Sequence, residues 1–145
     1  MPLTDTLAVM RKMPLFRQLD DRRIRVIAMT GQVLRLRTGE RLWEKGDPGD
    51  SVLIVLSGEA DVLFPLPDSP TETSIAVLGE GELVGEMAVL TGRPRSTAIA
   101  ARSDLEVLQI EGTTVLGLLR EFPELALEVI KVLALRLEAS NARAV

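Results

Sequence analysis

The feature that most constrains the fold is a series of short β-rich runs between residues 32 and 110. Turn-forming residues, mainly Gly, Pro, Asp and Ser, separate these runs. Many short strands at regular spacing are typical of an antiparallel sandwich or a small barrel. Three prolines between residues 65 and 70 predict a loop there, since proline cannot donate to a strand ladder. The predicted strands cover residues 33–37, 53–56, 60–64, 73–78, 97–101 and 105–110.

Two helices are predicted before the β-rich region. The first covers residues 4–12 and opens at Thr4 or Asp5. The second ends at Thr30, and Asp20 is predicted to cap its N-terminus, because a carboxylate can accept from the free backbone N–H groups of the first turn. The side chains expected to face the core are Leu19, Ile24, Ile27 and Ala28.

Helical spacing returns after residue 111. A short helix is predicted from Thr113 or Thr114 to Arg120, and a longer one covers 123–141. The longer helix is apolar around most of its circumference, which is typical of a helix buried on more than one side. It packs within its own domain or forms a homodimer interface, and we favour the dimer. Its narrow polar stripe consists of Glu124, Glu128, Lys131 and Glu138.

Composition limits the possible classes of function. The 145 residues suit one domain with a core, and 46% of them are hydrophobic, so the chain is globular. The net charge of −4 disfavours a protein that coats nucleic acid. The chain contains no Cys and no His, which excludes zinc-thiolate sites, histidine-ligated metals and Ser-His-Asp chemistry. We therefore expect no metal, no cofactor and no enzymatic activity.

The N-terminus carries no secretory signal pattern. No run approaches the roughly 20 apolar residues that a transmembrane helix requires. The expected location is cytoplasmic, without a membrane partner.

The segment 81–101 contains the residue types that a sugar phosphate requires. The planar guanidinium of Arg95 can donate two parallel hydrogen bonds to a phosphate. The carboxylate of Glu86 can accept a hydrogen bond from a sugar hydroxyl. Together they predict a pocket for an anionic nucleotide.

The neighbours of these two residues fit the same ligand. Gly85 allows the backbone to approach closely, and Met87 and Ala88 begin a helical turn whose free N–H groups point at an anion. Taken singly, a Gly-Glu pair is common, and a Pro-Arg pair before a strand is usually a turn with a solvated arginine. The combination at this spacing carries the prediction.

These motifs resemble a known family. GEMAVL at 85–90 followed by PRSTA at 94–98 is similar to the phosphate-binding cassette of the cyclic nucleotide-binding domain family. The family's upstream signature is matched by GDPGD at 46–50 and GEADV at 58–62. The sequence departs from the pattern at Thr97, where the family frequently has a small apolar residue.

The resemblance covers about residues 10–141 and implies one domain over residues 1–145. Its fold would be mainly β with flanking helices: an antiparallel, jelly-roll-like β-roll, similar to the sensor domain of bacterial catabolite activators. N-terminal helices would lie within 1–31, the β-roll within 32–110 with the cassette at 81–101 and its short helix, and the C-terminal helices within 111–145.

The resemblance also implies a ligand, cAMP or cGMP. It assigns Arg95 to the phosphate, Glu86 to the 2′-hydroxyl, and Ser96 to the phosphate or to a syn guanine base. Val62, Ile75 and Leu83 would form apolar walls, while Ser140 and Asn141 lie where some dimeric bacterial activators contact adenine. The expected ligand-binding residues are Val62, Ile75, Leu83, Gly85, Glu86, Met87, Ala88, Arg95, Ser96, Thr97, Ser140 and Asn141.

The expected function is a sensing module that transmits nucleotide occupancy through its C-terminal helices. The alternative is an interaction or dimerisation module that keeps the fold without the ligand. No helix-turn-helix pattern follows the last helix, so DNA binding by this chain alone is not expected. Related β-roll oxygenases need several histidines, which this chain lacks. The expected partner is a second copy, bound through the last helix, or an effector domain.

Overall fold

The computed structural model describes residues 2–144, with side chains described as far as Asn141, so residues 1 and 145 of the predicted domain lie outside the described part. The strands are β1 (Gln32–Leu36), β2 (Arg41–Trp43), β3 (Ser51–Ser57), β4 (Ala60–Pro65), β5 (Glu72–Leu78), β6 (Leu83–Val84), β7 (Ala98–Ala101) and β8 (Leu105–Glu111). The helices are α1 (Leu3–Lys12), α2 (Asp21–Thr30), α3 (Glu86–Thr91), α4 (Gly112–Glu121) and α5 (Pro123–Ala144), with a short 3-10 turn at Pro14–Phe16.

The strands form two four-stranded sheets, with strand orders β1-β8-β3-β6 and β2-β7-β4-β5. Every strand pair described is antiparallel. The chain is therefore mainly an antiparallel β-roll with flanking helices, which confirms the predicted fold class. None of the helices in residues 2–144 is both long enough and apolar enough to span a membrane.

Strand β3 lies at the centre of the domain and is buried on both faces. Leu53 and Val55 contribute to the cluster between the two sheets, whereas Ile54 and Leu56 pack against the helices on the other face. A strand covered on both sides needs apolar residues at every position, which explains its weak alternation in the sequence.

The N-terminal helices cover the outer face of the first sheet. The cap of α2 is confirmed, because a carboxylate oxygen of Asp20 accepts from the backbone N–H of Arg23 at 2.9 Å. The predicted opening of α1 at Thr4 or Asp5 is wrong. This helix begins directly after Pro2, whose carbonyl accepts the first hydrogen bonds, and no side chain caps it.

The C-terminal helices pack against the same sheet. α4 begins at Gly112, slightly before the predicted start, because the backbone N–H of Gly112 donates to the carbonyl of Asp50 at 2.7 Å. α5 begins at Pro123 as predicted and packs Leu125 and Val129 against the core. Its outer face is not covered by the domain, since the side chains of Leu127, Ile130, Leu135 and Leu137 are exposed.

Candidate functional site

The turn before β3 fixes the backbone of Arg95. The N–H of Gly46 donates to the carbonyl of Arg95, and the N–H of Arg95 donates to the carbonyl of Asp47, both at 2.8 Å. A carboxylate oxygen of Asp47 also accepts from the backbone N–H of Glu44 at 2.9 Å, which stabilises the turn. The upstream GDPGD motif therefore acts as the scaffold for the arginine.

The side chain of Arg95 points inward, and the residue is only 4% exposed. Its Nη1 donates to the carbonyl of Gly85 at 3.1 Å. Its Nη2 donates to the carbonyl of Ser51 at 2.7 Å and lies 3.2 Å from the Ser51 hydroxyl oxygen. The first residue of β3 and the residue before α3 thus hold the guanidinium through their backbone carbonyls.

The charge of Arg95 is poorly compensated. Within the described residues the ion-pair partner is Asp50, whose Oδ1 lies 3.9 Å from Nη2 and whose side chain is largely exposed. The Nε atom is buried without a hydrogen-bond partner among the described side chains and backbone. Burial lowers the pKa of the Arg95 guanidinium. The negative charges of Asp50 and Asp47 raise this pKa, but by less than burial lowers it. A buried cation with a free donor favours the binding of an anion.

Gly85 is required by both its conformation and its surroundings. Its φ of 90° lies in the left-handed region, which favours glycine. A Cβ at this position would lie 2.6 Å from Nη1 of Arg95 and 2.8 Å from Cη2 of Trp43. The backbone can therefore approach the arginine closely only where there is no side chain.

Glu86 is the first residue of α3 and is buried despite its charge, at 7% exposure. Its Oε1 accepts a hydrogen bond from Nη1 of Arg136, which reaches in from α5. The carboxylate is thus held at the cassette by a cation from the last helix, which satisfies the need of a buried charge for a partner.

These groups surround a cavity of about 340 Å³, within the range of about 300–1,000 Å³ that small-molecule pockets occupy. The cavity lies between the cassette and the second sheet and reaches Arg136. The expected site residues that line it are Val62, Leu83, Gly85, Glu86, Met87, Ala88, Arg95, Ser96 and Thr97.

Three expected residues lie elsewhere. Ile75 is 57% exposed on the edge strand β5 and does not line the cavity. The β-rich run that predicted β5 gave no indication that the strand would be exposed on both faces. Ser140 and Asn141 are exposed near the end of α5, beyond the part of that helix that lines the cavity.

Five residues of the cavity wall were not among the expected site residues: Trp43, Leu78, Val84, Ile99 and Arg136. Two of these five, Trp43 and Arg136, carry side-chain N–H donors. Trp43 lies on β2, a strand of three residues that is too short to give a periodic signal. Arg136 is the only charged residue between positions 132 and 137. A single charge within an apolar helical run was the available sign that it has a specific partner.

Fold and site together define a ligand-binding β-roll domain for an anionic small molecule. The family model described as "Cyclic nucleotide-binding domain" matches residues 33–122, more than half of the chain. The chain therefore belongs to the cyclic nucleotide-binding domain family. Domains of this family are regulatory and generally not enzymatic.

Individual relatives agree with this assignment. The chain is 34% identical to the cyclic AMP receptor protein of Thermus thermophilus over 71% of this chain and 47% of that protein. It is 29% identical to lysophospholipase NTE1 of Chaetomium globosum over 73% of this chain and 7% of that protein. The chain thus spans less than half the length of these curated relatives.

A solved structure gives the same result for the fold. The crystal structure of the catabolite activator protein of Thermus thermophilus superimposes with a TM-score of 0.84 at 29% identity. The superposition covers 90% of this chain and 61% of that chain.

Proposed function

We propose that this domain binds cAMP or cGMP in the cavity beneath the cassette and reports its occupancy through α4 and α5. The observation that carries the proposal is the buried Arg95, whose nearest carboxylate among the described ion pairs is the largely exposed Asp50 at 3.9 Å and whose Nε has no partner among the described residues. A cyclic phosphate supplies one negative charge and acceptor oxygens of the kind that a guanidinium binds.

The rest of the cavity suits the remaining parts of the nucleotide. Glu86 can accept from the 2′-hydroxyl once Arg136 yields its place. Val62 and Leu83 supply apolar surface for the base. The relative from Thermus thermophilus is named a cyclic AMP receptor protein, which favours cAMP. The exposed hydroxyl of Ser96 is available to a syn guanine, which favours testing cGMP beside it.

Two connections support transmission to the C-terminal helices. The first is at Gly112, where α4 begins against the turn that carries Asp50, and where an added Cβ would lie 3.4 Å from the Val89 side chain of α3. The second is the ion pair of Glu86 with Arg136. An apolar cavity of about 50 Å³ lies between the cassette and these helices and leaves room for a shift.

The exposed face of α5 supports a second copy of the chain as partner. Leu127, Ile130, Ala134 and Leu137 are exposed and follow one another at spacings of three and four residues. This spacing is the a/d pattern with which helices form coiled-coil dimers. A homodimer through α5 would bury all four.

The decisive experiment is isothermal titration of the purified protein, freed of co-purified nucleotide, with cAMP and with cGMP. We expect a dissociation constant of micromolar or below, about −8 kcal/mol. Arg95→Ala should weaken binding by about 2–5 kcal/mol, the usual cost of removing one partner of a buried charge pair. Arg93→Ala, which removes an exposed arginine nearby, serves as the control.

The same titration distinguishes nucleotide binding from the alternative, a dimerisation module that keeps the fold without the ligand. If neither nucleotide binds while the protein remains folded and dimeric, the domain is a ligand-free dimerisation module. If both nucleotides bind but Arg95→Ala keeps wild-type affinity, the ligand lies elsewhere and the site is wrong.

A further inference from the structure

The side chain of Trp43 lies against the guanidinium of Arg95. Cζ of Arg95 is 3.6 Å from the centroid of the indole ring. Nε1 of Trp43 donates to the carbonyl of Thr97 at 3.1 Å, which ties the ring to the loop that follows the arginine. The indole therefore contacts the arginine side chain and also restrains the backbone two residues further on.

The contact with Trp43 is a further interaction for the poorly compensated charge of Arg95. Two carbonyls, those of Gly85 and Ser51, hold the edge of the guanidinium, and the indole covers a face. An aromatic face attracts a cation most strongly where both groups are desolvated. Arg95 meets this condition, because its side chain is 2% exposed.

A competing orientation exists for the same arginine. The Asp50 carboxylate lies 3.9 Å from Nη2 and is 81% exposed, so a guanidinium that left the indole could pair with it more closely and nearer to solvent. Gly85 lies next to both Arg95 and Trp43, since an added Cβ there would come within 3 Å of Nη1 of Arg95 and of Cη2 of Trp43. Trp43 at the face and Gly85 at the edge thus restrain the guanidinium together.

We propose that Trp43 is a positioning residue for the anion site: it holds the Arg95 guanidinium at the cavity wall, against a closer pairing with Asp50, before any ligand arrives. The identity of the anion rests on the proposed function, whereas the coupling of Trp43 to Arg95 is a property of the free protein. Trp43 is the only tryptophan of the chain, so its fluorescence reports on this contact directly.

The first test uses the free protein. In Arg95→Met the indole loses a cation from its face, and we expect a changed emission maximum and intensity, whereas Arg93→Met should leave the spectrum as in wild type. A double-mutant cycle with Trp43→Leu and Arg95→Met, followed by circular dichroism in urea, should give a stability loss smaller than the sum of the single losses. An unchanged spectrum together with additive losses overturns the contact, whether or not any nucleotide binds.

The second test measures affinity for cAMP by calorimetry. Trp43→Leu should weaken binding by about tenfold or more, and Trp43→Phe, which keeps an aromatic face, should stay within about threefold of wild type. The matched control is Phe64→Leu, which removes the ring that lies 5.4 Å from Nζ of Lys45 outside the cavity. This control should bind as wild type.

The outcomes separate the two proposals. If wild type does not bind cAMP or cGMP, the proposed function fails, and the fluorescence and the cycle still decide the coupling of Trp43 to Arg95. If wild type binds and a folded Trp43→Leu binds equally well, the positioning role is wrong. Should Trp43→Leu fail to fold, a Trp43→Phe variant that binds within threefold and an altered spectrum in Arg95→Met support the role, and an unaltered spectrum rejects it.

Discussion

Nη1 of Arg136 donates to Oε1 of Glu86, so the last helix is joined by an ion pair to the first residue of the cassette helix. The arginine side chain is about half exposed, while the glutamate is buried. The pair fixes the position of the arginine and gives the buried carboxylate the partner that it needs. The position of α5 therefore depends on which group binds the carboxylate of Glu86.

The first prediction concerns Arg136→Met, which keeps most of the stem and removes the charge. The free protein should lose about 1–3 kcal/mol of unfolding free energy, because the buried carboxylate of Glu86 is left without its partner. Amide hydrogen exchange should become faster along α5 beyond Leu133, where the helix loses its link to the cassette. Hydrogen exchange with mass spectrometry measures this.

Lys131→Met is the control, since Lys131 is an exposed cation on the same helix. It should leave exchange in α5 as in wild type. Equal exchange rates in wild type and Arg136→Met would show that the ion pair does not hold the helix.

The second prediction concerns Glu86→Gln. Wild type should bind cAMP more tightly than 2′-deoxy-cAMP by about 1.5–3 kcal/mol, the usual contribution of a hydrogen bond to a charged group. The variant removes the charge without changing the size of the side chain, so the difference between the two ligands should shrink. Calorimetric titration with both ligands measures it. The control Glu80→Gln changes an exposed carboxylate outside the cavity wall. A preserved discrimination in Glu86→Gln would remove the carboxylate from the ribose site.

The third prediction separates backbone strain from crowding at Gly85. Gly92 also has a positive φ, of 73°, but an added Cβ there would meet nothing within 4 Å. Gly92→Ala should therefore cost only the strain of a left-handed residue, about 1–2 kcal/mol. Gly85→Ala carries the same strain and also pushes on Arg95 and Trp43, so it should lower the melting temperature further and weaken nucleotide binding. Thermal unfolding and calorimetry of both variants test this, and equal losses would mean that the contacts at Gly85 relax freely.

Much of the fold could be predicted from local signals. Turn residues and short apolar runs located six of the strands. Asp20 and Pro123 marked two helix starts, because caps and prolines act within a few residues. Strands β2 and β6 were missed because they have three and two residues, and their pairing depends on distant partners such as Ile99 and Leu53.

The candidate site could be predicted where its functional side chains lie close together in one segment of the sequence. The cassette brings Gly85, Glu86 and Arg95 close in sequence, and the structure brings them to one cavity. Trp43 lies 52 residues before Arg95 in the sequence, and Arg136 lies 41 residues after it. Only tertiary packing brings these two residues to the cavity. Ile75 was expected at the cavity from the family resemblance, and it lies elsewhere because β5 is an edge strand whose two faces are both uncovered.

The exposed apolar face of α5 gives the last prediction. Four residues at coiled-coil spacing would lie in the seam of a dimer, and Ile130, at 61% exposure in the single chain, is one of them. Contiguous exposed apolar surface is typical of a protein interface.

In Ile130→Glu the new carboxylate remains in water in a monomer but would be buried without a partner in the dimer, which is strongly unfavourable. We therefore expect sedimentation equilibrium to give a dimer mass for wild type and a monomer mass for this variant, with an intact fold by circular dichroism. Met29→Glu is the matched control, because Met29 is 69% exposed on α2 and lies outside the face. It should remain dimeric. A wild type that remains monomeric at about 100-fold the concentration used for calorimetry would exclude α5 as the interface. A variant that stays dimeric would also exclude it, because an interface that excludes water cannot accommodate an unpaired charge at its centre.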